Sequence, residues 1–192
     1  IPITTIFIVF SSFTIVVSNA NDAPTITSTA VTTATEDAAY TYTVTATDVD
    51  GDTLTMTGTT VPSWLSFNAA TGVLSGTPLN GNVGTSGNDV VITVSDGNNG
   101  QVTDTFTITV TNTNDAPTVA NQISDTAVNE DAVLGAGNDP VGYQFAANTF
   151  ADADSGDSCT YTSTQTDGSA LPGWLTFTAN TRLFTGTPLN AN

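Results

Sequence analysis

The pentapeptide NDAPT stands at residues 21–25 and again at 114–118, an offset of 93 residues (21 to 114). Just before it, FTIVVSNA from Phe13 aligns with FTITVTNT from Phe106 at the same offset. Downstream, PSWLSFNAATGVLSGTPLN from Pro62 aligns with PGWLTFTANTRLFTGTPLN from Pro172, an offset of 110 residues (62 to 172). A self-similar period of this size makes the chain a row of modules, each of roughly 90 residues, the size of a β-sandwich domain. The second copy carries its extra residues around 134–144 and after Asp152-Ala153-Asp154, in expected loops, where insertions are tolerated.

Within a module the apolar residues alternate with threonine. Tyr40, Tyr42, Val44 and Ala46 oppose Thr41, Thr43, Thr45 and Thr47; Phe106, Ile108 and Val110 oppose Thr105, Thr107, Thr109 and Thr111. A period of two puts one set in a core and the other in water, and threonine suits the wet face because its branched Cβ favours extended backbone. A threonine array also suits ice binding, but ordinary solvent-facing strand residues account for it. The alternation predicts an all-β fold of tandem seven-stranded sandwiches, with strands in the complete module near 24–34, 39–47, 53–58, 63–67, 72–77, 89–95 and 103–111. Trp64 and Trp174 are expected in the core rather than as sugar-stacking surface rings. The expected organisation is residues 1–20 as terminal strands completing a preceding or neighbouring module, 21–113 as a complete sandwich, and 114–192 as a second sandwich lacking its last two strands. In this reading residues 13–20 stand for a last strand and residues 5–10 for the strand before it.

Charge narrows the partners. Eighteen acidic residues face a single basic one, Arg182, and the chain has no histidine. Without cationic groups to displace counterions from phosphate, binding to nucleic acid or to an anionic membrane is excluded. Cys159, the one cysteine, forms no internal disulfide and reads as a buried strand residue. Residues 1–17 are uncharged and resemble the apolar region of a signal peptide, but no basic segment precedes them, they are rich in β-branched residues, and the repeat assigns them to strands. Serine and threonine interrupt them too often for a membrane span.

The acids cluster at strand ends: Asn21-Asp22, Glu36-Asp37 and Asp48-Val49-Asp50-Gly51-Asp52 in the first module; Asn114-Asp115, Glu130-Asp131 and Asp152-Ala153-Asp154 with Asp157 in the second. Carboxylates spaced by one residue converge on a hard cation. Calcium, which takes six to eight oxygens in irregular geometry, fits them, whereas zinc would want histidine or cysteine.

These motifs resemble the cadherin superfamily, especially bacterial cadherin-like and dystroglycan-type repeats. NDAP is similar to that family's inter-domain linker, Asp48-x-Asp50 and Asp152-x-Asp154 to its aspartate pair after the second strand, and Glu36 and Glu130 to the glutamate ahead of that strand. The family's acidic motif between the fifth and sixth strands is not evident; Asn88-Asp89 stands near its place. With strands running alternately up and down, one calcium site is expected to gather Asn21, Asp22, Asp48 and Asp50 with Asp96. A second, between modules, is expected to gather Glu36, Asn114, Asp115, Asp152 and Asp154 with Asp89. Glu130 and Asp131 would face the linker of a following module or subunit.

The functional expectation is an extracellular, calcium-stiffened structural or adhesive repeat. Its partners are copies of itself joined head-to-tail by β-strand donation, or adjacent repeats of a longer chain, with a surface glycan or protein as target. The alternative is a carbohydrate-binding accessory module in which Tyr40, Tyr143 or Tyr161 stacks on sugars. No enzyme is expected: the usual acid, base and nucleophile sets are missing, and the carboxylates recur at module ends instead of meeting in one cleft.

Overall fold

The computed structural model describes residues 12–134 and 142–189. The chain divides into two compact units, Ile1–Val110 and Thr111–Asn192. The expected strand at residues 5–10 lies outside the described residues.

The first unit contains β1 (Thr25–Ile26), β2 (Thr33–Thr35), β3 (Tyr40–Thr43), β4 (Ala46–Thr47), β5 (Thr55–Thr60), β6 (Leu65–Asn68), β7 (Val73–Gly76), β8 (Asp89–Ser95), β9 (Gln101–Thr107) and β10 (Thr109–Thr111). Two three-stranded antiparallel sheets, β3-β7-β6 and β5-β8-β9, are accompanied in this unit by two separate short pairs, β1-β4 and β10-β2. The period of two does what the sequence implies. Tyr40, Tyr42, Val44, Leu74, Val90, Ile92, Val94, Ile108 and Val110 are buried in one cluster while the intervening threonines face out.

Two expected strands are each broken in two. Residues 24–34 form β1 and β2, and residues 39–47 form β3 and β4, because a side chain interrupts the ladder. Ser28 Oγ accepts the Thr45 N–H at 3.0 Å and hydrogen-bonds the Tyr42 hydroxyl at 2.9 Å. The Val44 N–H meanwhile turns to Gly72 O at 2.8 Å. The strand thus pairs with β7 through its first half and with β1 through its second.

Trp64 sits on the core side, edge-on to Tyr40 with centroids 5.7 Å apart, and its Nε1–H donates to Asn88 Oδ1 at 2.9 Å. Gly76 explains the glycine of the repeated GTP motif. A Cβ there would collide with the Trp64 carbonyl oxygen, and Gly186 stands against Trp174 in the same way.

The second unit repeats part of this plan with β11 (Thr118–Val119), β12 (Tyr143–Gln144), β13 (Phe150–Ala151), β14 (Leu175–Thr178) and β15 (Leu183–Gly186). β11 pairs with β13 as β1 does with β4, and β12-β15-β14 repeats β3-β7-β6. The register repeats too: Tyr143 opposes Phe184 as Tyr42 opposes Leu74. The Phe145 N–H donates to Arg182 O as the Val44 N–H does to Gly72 O. The core of this unit is aromatic. Phe145 is buried, stacks on Phe177, and meets Phe150 and Tyr161 edge-on.

Candidate metal centre

In the first unit the linker is tied down by aspartates. The turn after β4 brings Asp48 Oδ1 to the Asp50 N–H at 2.8 Å, which fixes the loop and turns the Asp50 carboxylate toward the linker. Asp50 Oδ1 accepts from Asn19 Nδ2 and its Oδ2 from the Asp22 N–H at 2.7 Å. The turn between β8 and β9 adds Asp96, which is buried. Its Oδ1 accepts the N–H groups of Asn98 and Gly100 at 2.7 and 2.9 Å, and its Oδ2 accepts from Asn21 Nδ2 at 2.9 Å. Hydrogen bonds hold both carboxyls below the ordinary carboxylate range, chiefly the one from Asn19 for Asp50 and the one from Asn21 for Asp96.

Asp48, Asp52 and Asp96 each present an oxygen within 4.8 Å of the others. Asp48 Oδ2 is buried without a hydrogen-bond partner. Leaving a carboxylate oxygen desolvated and unpaired is unfavourable. A calcium ion would satisfy it, and the all-oxygen donor set matches that ion's chemistry.

The second unit builds the same linker clamp 93 residues on in the linker and 104 residues on in the loop (22 to 115 and 50 to 154). The Asp115 N–H donates to Asp154 Oδ2 at 2.6 Å, Asn112 Nδ2 donates to Asp154 Oδ1 at 2.8 Å, and the Asp154 N–H donates to Asp152 Oδ1 at 3.0 Å. Asp154 is buried, and Asp152, Asp154 and Asp157 present oxygens within 4.8 Å of one another.

The structure thus brings Asn21, Asp22, Asp48, Asp50 and Asp96 together in the first unit, and Asp115, Asp152 and Asp154 in the second. Asn114 Nδ2 turns back to the Asp115 carbonyl at 2.9 Å, as Asn21 does to Asp22 at 3.2 Å. Asp89, Glu36 and Glu130 lie on other segments of the chain. Asp89 opens β8 and accepts from Thr107 Oγ1 at 2.6 Å, across the sheet. Glu36 is buried just after β2. Glu130 is exposed and precedes Asp131, which has a positive φ of 56° and whose N–H donates to Pro188 O at 2.9 Å. Asp37 holds the same conformation against Pro78 O, so these two turns secure each GTP segment. Sequence reasoning left Asp52, Asp157 and Asn19 out of the ligand set. The motif D-x-D-x-D and the N-x-N-D linker carry Asp52 and Asn19, but only the folded loops show that Asp52 joins the trio while Asp50 faces the linker.

A family described as "Putative Ig domain" matches residues 23–111 and 116–192. The chain belongs to this family. Two of its Ig-type modules are therefore present in tandem, and the architecture is cadherin-like. Human protocadherin-24 EC1-2, form II, is 23% identical over 90% of this chain and 82% of that one, with a TM-score of 0.54, a likeness in fold. A second structure of human protocadherin-24 EC1-2 is also 23% identical, over 88% and 79% of the two chains, with a TM-score of 0.47. A Bacteroides fragilis structure assigned as an alpha-galactosidase/melibiase is 16% identical with a TM-score of 0.38. This chain spans 17% of its length, and 19% of a related Bacteroides fragilis structure assigned as an alpha-galactosidase. No curated protein sequence matches. Among the described residues no helix is long and apolar enough to cross a membrane.

Proposed function

We propose that this tandem Ig-domain chain is an extracellular structural or adhesive repeat in which each module binds calcium at the end where its linker enters. The carrying observation is the repeated clamp: in both modules a linker amide and an asparagine side chain close on one aspartate, which stands beside a trio of carboxylates in the first module and belongs to one in the second. Asp48, Asp52 and Asp96 would hold the ion in the first module, and Asp152, Asp154 and Asp157 in the second. The ion would neutralise crowded like charges and lock the clamped linker, stiffening the entry to each sandwich.

The reading is non-enzymatic. Its partners are further copies or adjacent repeats, and a surface glycan or protein is its target. The sugar-stacking alternative loses support at Tyr40, which is buried with its hydroxyl donating to Val31 O at 2.7 Å. Calorimetry with calcium on chelator-treated protein tests the proposal. Binding heat with a raised melting temperature is expected, and the absence of both would overturn it.

A further inference from the structure

Asp104 stands apart from the acidic clusters. It lies in β9 between Val102 and Phe106, and the period of two turns all three inward: Val102 and Phe106 pack on the core, and Asp104 is half-buried beside them. A carboxylate on an apolar face is unfavourable unless it is hydrogen-bonded. Asp104 Oδ2 accepts from the Tyr42 hydroxyl at 3.1 Å, and Tyr42 is buried in β3, a strand of the other three-stranded sheet. The Tyr42 hydroxyl also meets Ser28 Oγ at 2.9 Å, and Ser28 Oγ accepts the Thr45 N–H at 3.0 Å.

The donor and acceptor capacities of these groups give the chain of bonds one direction. An ionised carboxylate only accepts, so Tyr42 donates its proton to Asp104. The Tyr42 oxygen is then left to accept from Ser28, and Ser28 Oγ to accept from the Thr45 amide. Burial holds the Tyr42 hydroxyl above its ordinary range, and the Ser28 bond opposes that rise, as a hydroxyl donating to the phenolic oxygen does. A relay thus runs from a main-chain amide through Ser28 and Tyr42 to a strand of the opposite sheet. Bonds linked in this way polarise and strengthen one another.

The relay and the linker clamp secure opposite ends of one short ladder. β1 pairs with β4 through two residue pairs, Thr25 with Thr47 and Ile26 with Ala46. Beyond one end lie Asp22 and Asp50, joined by the linker amide. At the other end the Thr27 N–H donates to Thr45 O at 2.8 Å, the Thr27 and Thr45 hydroxyls stand 2.8 Å apart, and the relay takes the Thr45 N–H. A ladder this short is marginal by itself, so the order of each end depends on the other.

We propose that Ser28, Tyr42 and Asp104 are positioning residues for the calcium-binding entry of the first module: the relay anchors one end of the β1-β4 ladder, and the ladder holds the Asp22 amide against Asp50 at the other. The consequence for calcium rests on the metal reading, whereas the clamp itself is a bond within the protein. The second module closes the equivalent junction otherwise. Thr149 O accepts from Ala120 and Asn121 as Thr45 O does from Thr27 and Ser28, but the Thr149 N–H donates to Ala146 O at 3.2 Å, within its own turn. That module serves as an internal control.

The test uses the 192-residue chain. Tyr42→Phe removes the hydroxyl and keeps the ring that meets Phe106 edge-on. In chelator it is expected to quicken amide exchange at Asp22, whereas Trp64→Phe, which weakens the same core away from the ladder, leaves that rate unchanged. A calcium titration followed at the Asp50 and Asp154 amides is expected to show affinity lowered by about fivefold or more in the first module and unaltered in the second. Should Tyr42→Phe fail to fold, Ser28→Ala breaks the relay at a half-buried position and takes its place. Exchange at Asp22 at the parent rate, or quickened equally by Trp64→Phe, overturns the proposal, as does a variant affinity equal to that of a calcium-binding parent. A parent that binds no calcium overturns the metal reading instead, and exchange at Asp22 still decides the relay.

Discussion

The backbone N–H of Asp22 donates to Oδ2 of Asp50 at 2.7 Å. Asp115 and Asp154 make the same bond in the second module at 2.6 Å. A main-chain donor on a side-chain acceptor fixes where the linker starts relative to its sandwich, so Asp50 acts as a positioning residue rather than as a member of the carboxylate trio.

Asp50→Asn is therefore expected to loosen the linker while leaving the trio in place. Loss of such an orienting partner lowers metal affinity by about 10–100-fold. Calorimetry should show weaker calcium binding with unchanged stoichiometry, and amide exchange at Asp22 should quicken.

Asp48→Asn separates the metal's contribution from the protein's. The buried Oδ2 of Asp48 has no hydrogen-bond partner, so replacing the charge by an amide removes a desolvated anion. In chelator the variant should melt no lower than the parent. With calcium present, the parent should gain stability according to ligand concentration over Kd, and the variant should not.

Acid should act on the same end of the module. Asp50 and Asp96 carry lowered pKa values, from the Asn19 and Asn21 hydrogen bonds first. A depressed folded pKa means a stability contribution that is complete above the unfolded value of about 3.9 and is lost as pH falls through the folded value. Carboxyl resonances of these two residues in chelator should titrate below that value, and calcium affinity should fall over the same interval as protons compete.

Base should act on the core. Burial pushes the Tyr40 hydroxyl up to about 12. A raised folded pKa keeps the phenol protonated, so stability is complete below the unfolded value of about 10 and is lost as pH rises toward 12. Tyr40→Phe should flatten this alkaline loss in a melting series, offset at neutral pH by the missing bond to Val31 O.

Trp64→Phe should strip Asn88 Oδ1 of its donor inside the module, where Asn88 is 1% exposed. An unsatisfied buried acceptor costs about 1–3 kcal/mol. Denaturant unfolding should show that loss, with calcium affinity unaltered.

The fold was largely legible because alternation and repetition are local signals. Tyr40, Tyr42 and Val44 announce one buried face whatever surrounds them, and the two WL-x-F…GTP blocks fold alike because Gly76 and Gly186 must each pass a tryptophan carbonyl. The break of the second strand was not legible. Nothing at Thr45 distinguishes it from Thr43 until Ser28, distant in sequence, takes its N–H. The candidate site was half legible: the aspartates declare themselves by spacing, but which of Asp48, Asp50 and Asp52 converges depends on loop dihedrals that carboxylates alone do not encode.

What the sequence by itself determined is the module, its count in this stretch and the acidic ends, since period, alternation and charge are properties of residues in order. Only the tertiary structure decided that Asp50 grips the linker while Asp48, Asp52 and Asp96 converge. Those outcomes depend on which distant segments arrive beside a given side chain, and burial and convergence are made by that arrival.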